Sequence, residues 1–171
     1  FRNQGEGSFA RDESFEELAK ETEGLDFWGA SFVDYDNDGH LDIVAVTGSQ
    51  EGIVLLYRNR GDGVFAEVSE EAGLREVSGL NGRGLTLGDY DNDGDLDVVV
   101  LNMNDRPSLI RNDNGNENNW LLIKLHGTSS NRTAIGASVR VGTGSHLQTN
   151  YVQSGGSVMS QSDLRLHFGL G

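Results

Sequence analysis

The sequence predicts an all-β protein in which two similar units precede a smaller β-sheet domain. Its 171 residues include 24 Gly and one Pro, and short apolar runs rich in β-branched residues alternate with turn sequences, as is typical of antiparallel strands. An eleven-residue stretch occurs twice, as DYDNDGHLDIV from Asp34 to Val44 and as DYDNDGDLDVV from Asp89 to Val99. This duplication defines the two units.

The same order of elements is predicted in each unit: a strand, the acidic loop, two further strands, a glycine turn and a short strand. The predicted long strands are 28–35, 41–46 and 53–59 in the first unit, and 84–90, 96–101 and 108–112 in the second. Between the units' strands, residues 13–24 predict a short amphipathic helix with Phe15, Leu18 and Ala19 facing inward. Its counterpart in the second unit, residues 68–74, is shorter.

Each acidic loop predicts a Ca²⁺ site. Like charges on alternate residues repel strongly unless a cation neutralises them, and Ca²⁺ takes six to eight oxygen ligands. Loop positions 1, 3, 5 and 9 supply side-chain ligands, and position 7 supplies its backbone carbonyl. These positions are Asp34, Asp36, Asp38, His40 and Asp42 in the first loop, and Asp89, Asp91, Asp93, Asp95 and Asp97 in the second.

The loops are not EF-hands, because an EF-hand needs a bidentate Glu at position 12. Ala45 and Val100 stand there instead, inside short β-branched runs that predict buried strands after each loop. A solvated acidic turn that binds nothing is the alternative, since Asp, Asn and Gly are common in ordinary turns. Repetition with the ligand spacing intact favours the metal site.

A second repeated marker is an Arg-Asn pair before a Gly-rich turn, at Arg2-Asn3, Arg58-Asn59 and Arg111-Asn112. The spacing of the two loops, 55 residues, lies within the range of propeller blades and similar stacked β arrays. After Asn112 the pattern changes, and the polar connector NDNGNENN places a domain boundary near Asn114. Residues 114–171 lack an acidic loop and predict a second small sheet, with Trp28 and Trp120 expected as core anchors.

Composition excludes several functions. The formal net charge of −14 speaks against nucleic acid and anionic membranes as partners. Because the chain has no Cys, it has no disulfide and no thiol nucleophile. Ca²⁺ bound in the loops is then expected to stabilise the fold in place of disulfides. Sites with a Kd of about 0.1 mM would fill at extracellular but not at cytosolic Ca²⁺ levels.

The loop D-x-D-x-D-G-x-x-D with flanking apolar strands, and the turn YRNRGDGVF from Tyr57 to Phe65, resemble the FG-GAP/VCBS repeats of integrin-type β-propellers. Residues 118–141, together with the terminus from Ser160 to Gly171, resemble the ASPIC/UnbV domain, which follows such repeats in secreted bacterial proteins similar to cartilage acidic protein. The resemblance implies partial propeller-like blades over 1–113 and an ASPIC/UnbV-like domain over 114–171. It also implies about two Ca²⁺ ions at the eight loop aspartates, an extracellular or cell-surface location, and no catalytic activity.

Relative to the family, the chain begins at the last turn of a preceding blade and stops where relatives continue into another strand. Two units are too few to close a propeller, so strand edges are expected to stay open or to pair with other copies. The predicted function is a non-catalytic scaffold. Joined to other copies through its open strand edges, the chain would be a subunit of a surface assembly or fibre. Two alternatives remain: a recognition module for a protein or carbohydrate, and an accessory fragment of a larger secreted enzyme.

Two shorter motifs carry weaker hypotheses. Asn131-Arg132-Thr133 is an N-glycosylation sequon in a predicted loop. Arg60-Gly61-Asp62 spells a cell-adhesion tripeptide, but it lies within the repeat's own glycine turn and is interpreted as coincidence. The four histidines show no metal-ligand spacing, and hydrolase and nucleotide-binding motifs are absent from the sequence.

Overall fold

A computed structural model describes residues 1–12, 15–48, 52–113, 117–144 and 146–171. It confirms the all-β class. The first unit contains the hairpin of β1 (Arg2–Gly5) and β2 (Ser8–Ala10), followed by the short helix α1 (Glu16–Glu21). Its main strands are β3 (Phe27–Val33), β4 (Asp42–Thr47), β5 (Gly52–Asn59) and β6 (Phe65–Glu67), which pair antiparallel in that order. A short strand, β7 (Ser78–Leu80), also pairs with β5.

The second unit repeats the start of this arrangement. Strands β8 (Gly82–Gly88), β9 (Asp97–Asn102) and β10 (Ser108–Ile110) form an antiparallel sheet in the order β10-β9-β8. In both units the acidic loop joins the first two strands, β3 to β4 and β8 to β9. The loops are therefore at the same end of equivalent hairpins.

One hydrophobic core joins the two units. The side chains that alternate along β4 and β5 on the face toward the second unit are apolar, and they pack against those of β8 and β9. Burial of such β-branched and leucine side chains supplies most of the stabilisation of a small β domain, at about 25 cal/mol per Å² of apolar surface. The core comprises Val33, Val44, Val46, Val54, Leu56, Leu74, Leu85, Leu87 and Val100.

The C-terminal part forms two small sheets, whereas the sequence predicts one. Strands β11 (Trp120–Ile123) and β14 (Leu166–Gly169) pair with each other, and β12 (Ser138–Thr143) pairs with β13 (His146–Tyr151). The two ribbons pack around Val152, Leu166 and Phe168. The predicted boundary near Asn114 lies outside the described residues.

A segment between β13 and β14 lies along the inner edges of both repeat sheets. On β8, the Leu87 amide donates to Ser162 Oγ (3.2 Å) and the Leu87 carbonyl accepts from the Asp163 amide (2.9 Å). On β3, the Ala30 amide donates to Ser157 Oγ (3.1 Å). These two edges, expected to be open, are therefore partly covered by the chain itself. The other outer strands, β6 and β10, are three residues each, which is short enough to limit pairing with another chain.

Three side-chain predictions are wrong. Trp120, expected as a core anchor, is 37% exposed at the start of β11. Ala19, predicted to face inward, is exposed on α1. Phe15, predicted to face inward as well, does pack, with its ring centroid 5.0 Å from that of Phe65. Trp28 is 42% exposed rather than a core anchor. Its ring lies beneath the Arg83 guanidinium, 4.3 Å from the ring centroid, so a cation–π contact takes the place of core packing.

Gly169 should not tolerate a side chain. A Cβ there would collide with Asp34 Oδ2 and with the backbone of Asn37. We expect Gly169→Ala to lower the unfolding free energy by about 2–3 kcal/mol, as overpacked sites do, and the melting temperature by about 4–10 °C.

Gly142→Ala is the matched control, because Gly142 also lies in a strand and a Cβ there meets its nearest atom at 3.8 Å. Circular dichroism melts of the two variants check the prediction. Equal melting temperatures would contradict the close approach of β14 to the first loop.

Candidate metal sites

Both acidic loops adopt the same backbone conformation. The fourth residue has a positive φ, 58° at Asn37 and 62° at Asn92. The sixth does too, 89° at Gly39 and 99° at Gly94. Asn and Gly are the residues that adopt this left-handed conformation most readily. Two such residues in each loop fold it tightly enough to turn its carboxylates toward one another.

The first aspartate of each loop closes the turn. Asp34 Oδ2 accepts a hydrogen bond from the Gly39 amide at 3.0 Å, and Asp89 Oδ2 accepts one from the Gly94 amide at 3.2 Å. The fifth aspartates act more locally, since Asp38 accepts from the His40 amide at 2.8 Å. Asp93 accepts from the Asp95 amide at 3.0 Å.

The ninth aspartate of each loop is hydrogen-bonded to the chain at or just after the end of the third strand of its unit. Asp42 is fully buried, and its two oxygens accept from the amides of Tyr35 (3.2 Å) and Asn59 (2.7 Å). In the second unit, Asp97 accepts in the same way from Tyr90 and Asn112, both at 2.9 Å. Asn59 and Asn112 belong to the repeated Arg-Asn marker, which the sequence shows as a repeat signature without revealing this contact.

Three carboxylates of each loop converge. Oxygen atoms of Asp34, Asp36 and Asp42 all lie within 4.8 Å of one another, and so do those of Asp89, Asp91 and Asp97. The groups gathered at this distance do not include Asp38 and Asp93. Ligation through the backbone carbonyls of His40 and Asp95 stays a prediction.

The side chains at loop position 7 have roles that the sequence does not predict. Asp95 is 1% exposed and accepts a hydrogen bond from Asn37 Nδ2 at 3.2 Å, and Asn37 also donates to the Gly94 carbonyl at 3.3 Å. These contacts join the first loop directly to the second. His40 instead packs edge-to-face on His146, with ring centroids 5.2 Å apart.

The first loop holds buried carboxylate oxygens that need a cation or a proton. In the described part of the chain, Asp34 Oδ1 and Asp36 Oδ1 are buried and have no hydrogen-bond partner. Burial, with the charge of Asp38 in addition, raises the pKa of Asp34 to about 7. Burial also raises the pKa of Asp42 to about 7, against the opposing effect of its two backbone hydrogen bonds. A buried oxygen without a partner is costly, so the donor set fits a hard divalent cation such as Ca²⁺.

The second loop is less buried at its centre. Asp91 is exposed, whereas Asp89 and Asp97 are buried. Burial raises the pKa of Asp97, and the charges of Asp91 and Asp93 raise it further. The geometry is thus shared between the loops, but the carboxylates of the first loop are further from water.

The C-terminal part is hydrogen-bonded to both loops. At the first loop, the Gly169 amide donates to Asp34 Oδ2 (3.1 Å) and the Gly171 amide donates to the Asn37 carbonyl (3.0 Å). His146 Nε2 lies 2.9 Å from the Gly39 carbonyl. Because a carbonyl only accepts, this nitrogen must carry a proton.

At the second loop, His167 Nε2 lies 2.9 Å from the Gly94 carbonyl. Arg165 donates to the Asp89 carbonyl and to Asn92 Oδ1, both at 2.8 Å. Strand β14 and the residues flanking it are therefore held by both loops. Sequence reasoning missed these residues because they lie more than 70 positions from their partners.

The two weaker motifs both lie in exposed turns. The Asn131 side chain donates to the Ile135 carbonyl at 3.0 Å and accepts from Thr133 Oγ1 at 3.1 Å, and glycosylation there stays a prediction. In the Arg60–Asp62 turn, the Asp62 carboxylate accepts from the Val64 amide at 2.9 Å. In the described part of the chain, no helix is long and apolar enough to cross a membrane.

Comparison with known proteins identifies two segments. Residues 34–100 match the model of the FG-GAP-like repeat, and residues 127–171 match the model described as ASPIC and UnbV. Over 56 residues the chain is 36% identical to cartilage acidic protein 1 of Xenopus tropicalis and 38% identical to that of Homo sapiens. Each match covers 33% of the chain and 8% of the relative's length.

The match to the FG-GAP-like repeat covers both candidate metal loops and the strands β4 to β8 between them. Repeats of this type are typical of extracellular or surface proteins and form β-propeller-type sheets. The resemblance to FG-GAP repeats and to the ASPIC/UnbV domain is confirmed: the chain carries an FG-GAP-like repeat over residues 34–100, followed by an ASPIC/UnbV segment over residues 127–171.

Proposed function

We propose that the chain is a non-catalytic, calcium-binding structural module of an extracellular protein. One observation carries this proposal: two loops of different surroundings gather three carboxylates each in the same geometry. The loops would hold one Ca²⁺ ion each, through Asp34, Asp36 and Asp42 in one and through Asp89, Asp91 and Asp97 in the other.

The chemistry of the donors favours calcium over other common metals. The gathered ligands are carboxylate oxygens, which suit hard cations, and flexible oxygen-rich loops suit Ca²⁺ better than the strict octahedron of Mg²⁺. Two Ca²⁺ ions would also bring the formal charge of −14 to about −10. A bound ion would supply a partner for the buried Oδ1 atoms of Asp34 and Asp36, which have no hydrogen-bond donor in the described part of the chain.

The structural role follows from what each loop touches. The first loop is bonded to strand β5 through Asp42, to the second loop through Asn37, and to the C-terminal part through Asp34. A cation that orders this loop would therefore fix the relative positions of three parts of the chain. Scaffolding is accordingly the function that the contacts support best.

Calcium titration of the whole chain tests the proposal. We expect isothermal titration calorimetry to give about two Ca²⁺ ions per chain, and Asp36→Asn to remove or weaken one site by at least about tenfold, since it deletes a ligand charge. Asp105→Asn, an exposed aspartate outside both loops, is the control and should bind as the unaltered protein does.

Hydrogen exchange extends the same experiment to the scaffold role. EGTA should speed amide exchange at β14, whose Gly169 amide is bound by Asp34. A chain that binds no Ca²⁺ at millimolar concentration would overturn the proposal. Binding with unchanged exchange at β14 would leave calcium binding but remove the scaffold role.

The pH dependence of calcium binding should be steep. Asp34 and Asp42, with pKa values of about 7, must lose their protons before they bind a cation. We expect the affinity of the first loop to fall by about tenfold or more for each pH unit below 7.

A rise in pH strengthens calcium binding, but in the absence of calcium it should lower the free energy of unfolding. Because the folded-state pKa values of Asp34 and Asp42 lie above the unfolded value of 3.8, these two groups favour the folded metal-free protein most at low pH, and that contribution is lost as the pH rises through 7. Urea unfolding in EGTA at pH 5 and pH 8 measures this. A metal-free protein that is more stable at pH 8 would contradict the raised pKa values.

Recognition of a partner is a second candidate, favoured by one observation. An open cleft of about 950 Å³ lies between β3–β4 and β13, and Phe32, Leu147 and Tyr151 line it while remaining 57–64% exposed. Exposed aromatic side chains beside polar ones such as Gln148 and Asn150 suit sugar rings.

A glycan array probed with the intact chain tests this second function. We expect Tyr151→Ala to abolish any specific signal, while Phe9→Ala, an exposed aromatic outside the cleft, should leave it unchanged. An array on which the chain gives no specific signal would contradict carbohydrate recognition by the cleft.

A further inference from the structure

Arg58 lies against the carboxylates of the first loop. It stands near the end of β5, and its Nη2 atom is 2.6 Å from Asp36 Oδ2 and 3.5 Å from Asp38 Oδ2. The other oxygen of Asp36, Oδ1, is buried and has no hydrogen-bond partner in the described part of the chain. One oxygen of Asp36 therefore contacts Arg58, and the other is buried in the loop.

The equivalent arginine of the second unit is held differently. Arg111 Nη1 is 3.8 Å from Asp91 Oδ2, but its Nη2 is 2.6 Å from Asp113 Oδ1. The residue two positions after the arginine decides this, because it is Asp113 in the second unit and Arg60 in the first. Arg111 therefore pairs mainly with an aspartate outside the second loop, whereas Arg58 pairs with the carboxylates of the first loop.

We propose that Arg58 is a cation that competes with Ca²⁺ for Asp36 and thereby lowers the calcium affinity of the first loop, an inference that rests on the proposed function. Arg111 has the same effect on the second loop, but much more weakly. Any Ca²⁺ ion held by Asp36 would share that carboxylate with the guanidinium. The arginine stabilises the loop when the ion is absent, and it repels the ion when the ion arrives.

The sign of this effect depends on two opposing contributions. Arg58 orients Asp36, which favours binding, but fixing one partly exposed side chain is worth only about two- to threefold in affinity. A unit charge about 6 Å from a divalent ion, even with the dielectric constant of water, opposes binding by about tenfold. Repulsion therefore exceeds orientation, although the exposure of Arg58 (44%) reduces its magnitude through screening.

Calcium titrations of single-loop proteins test the proposal. Asp91→Asn removes or weakens the second site so that the tighter binding step reports on the first loop, and Asp36→Asn does the reverse. In the Asp91→Asn protein, we expect Arg58→Met to raise the calcium affinity about three- to tenfold, while Arg58→Lys, which keeps the charge, stays within about twofold. In the Asp36→Asn protein, Arg111→Met should change the affinity by less than about twofold.

Salt dependence separates competition between cations from a merely structural role. In the Asp91→Asn background, the calcium affinity of the Arg58→Met protein divided by that of the protein that keeps Arg58 gives a ratio. This ratio should fall toward one as NaCl rises from 0.05 to about 0.5 M, because ions screen the repulsion. If the Met variant does not fold without calcium, Arg58→Gln replaces it with the same expected outcome.

An unchanged or reduced affinity in Arg58→Met, with calcium still bound by the Asp91→Asn protein, would overturn this inference and leave the proposed function intact. A ratio that does not respond to salt would also overturn it. If the unaltered protein binds no calcium, the proposed function fails first, and the inference fails with it.

Discussion

Mutual repulsion among the carboxylates gathered in each loop is the constraint on which the rest of the structure depends. Asp34 and Asp42 are buried beside other acidic groups, so they can be charged only if a cation or many N–H donors compensate them. The donors come from Gly39 within the loop, from Asn59 at the end of β5 and from Gly169 in β14. Compensation of the carboxylate charge therefore both stabilises the folded loop and holds it to the distant parts of the chain that donate these hydrogen bonds.

Local patterns made the loops and the main strands predictable. Alternating aspartates, a glycine at the sixth position and the β-branched runs that follow all act within about a dozen residues, and six of the ten predicted ligand residues converge. What the sequence does not show is which remote groups meet them. Arg165 and His167 approach the second loop from more than 70 residues away. The exposed Ala19 and the pairing of β11 with β14 likewise follow from tertiary packing that no local period encodes.

Nearly identical loop sequences lie in unequal surroundings. The seventh position is a half-buried histidine in one loop and a buried aspartate in the other. The residue that directly follows the repeated pair of Arg and Asn has opposite charge in the two units, Arg60 in one and Asp113 in the other. A single set of ligand residues can thus give two different electrostatic environments, because the differences arise at neighbouring positions rather than at the ligands themselves.

The side chains at the fourth loop position show how a row of such units ends. Asn37 of the first loop reaches forward to Gly94 and Asp95 of the second, as one unit stacking on the next. Asn92, its equivalent in the second loop, meets Arg165 of the C-terminal part instead. Terminal units of stacked arrays commonly need a distinct capping element. The ASPIC/UnbV segment occupies that position beside the second loop, so the side-chain oxygen of Asn92 finds its hydrogen-bond donor in Arg165 rather than in another repeat.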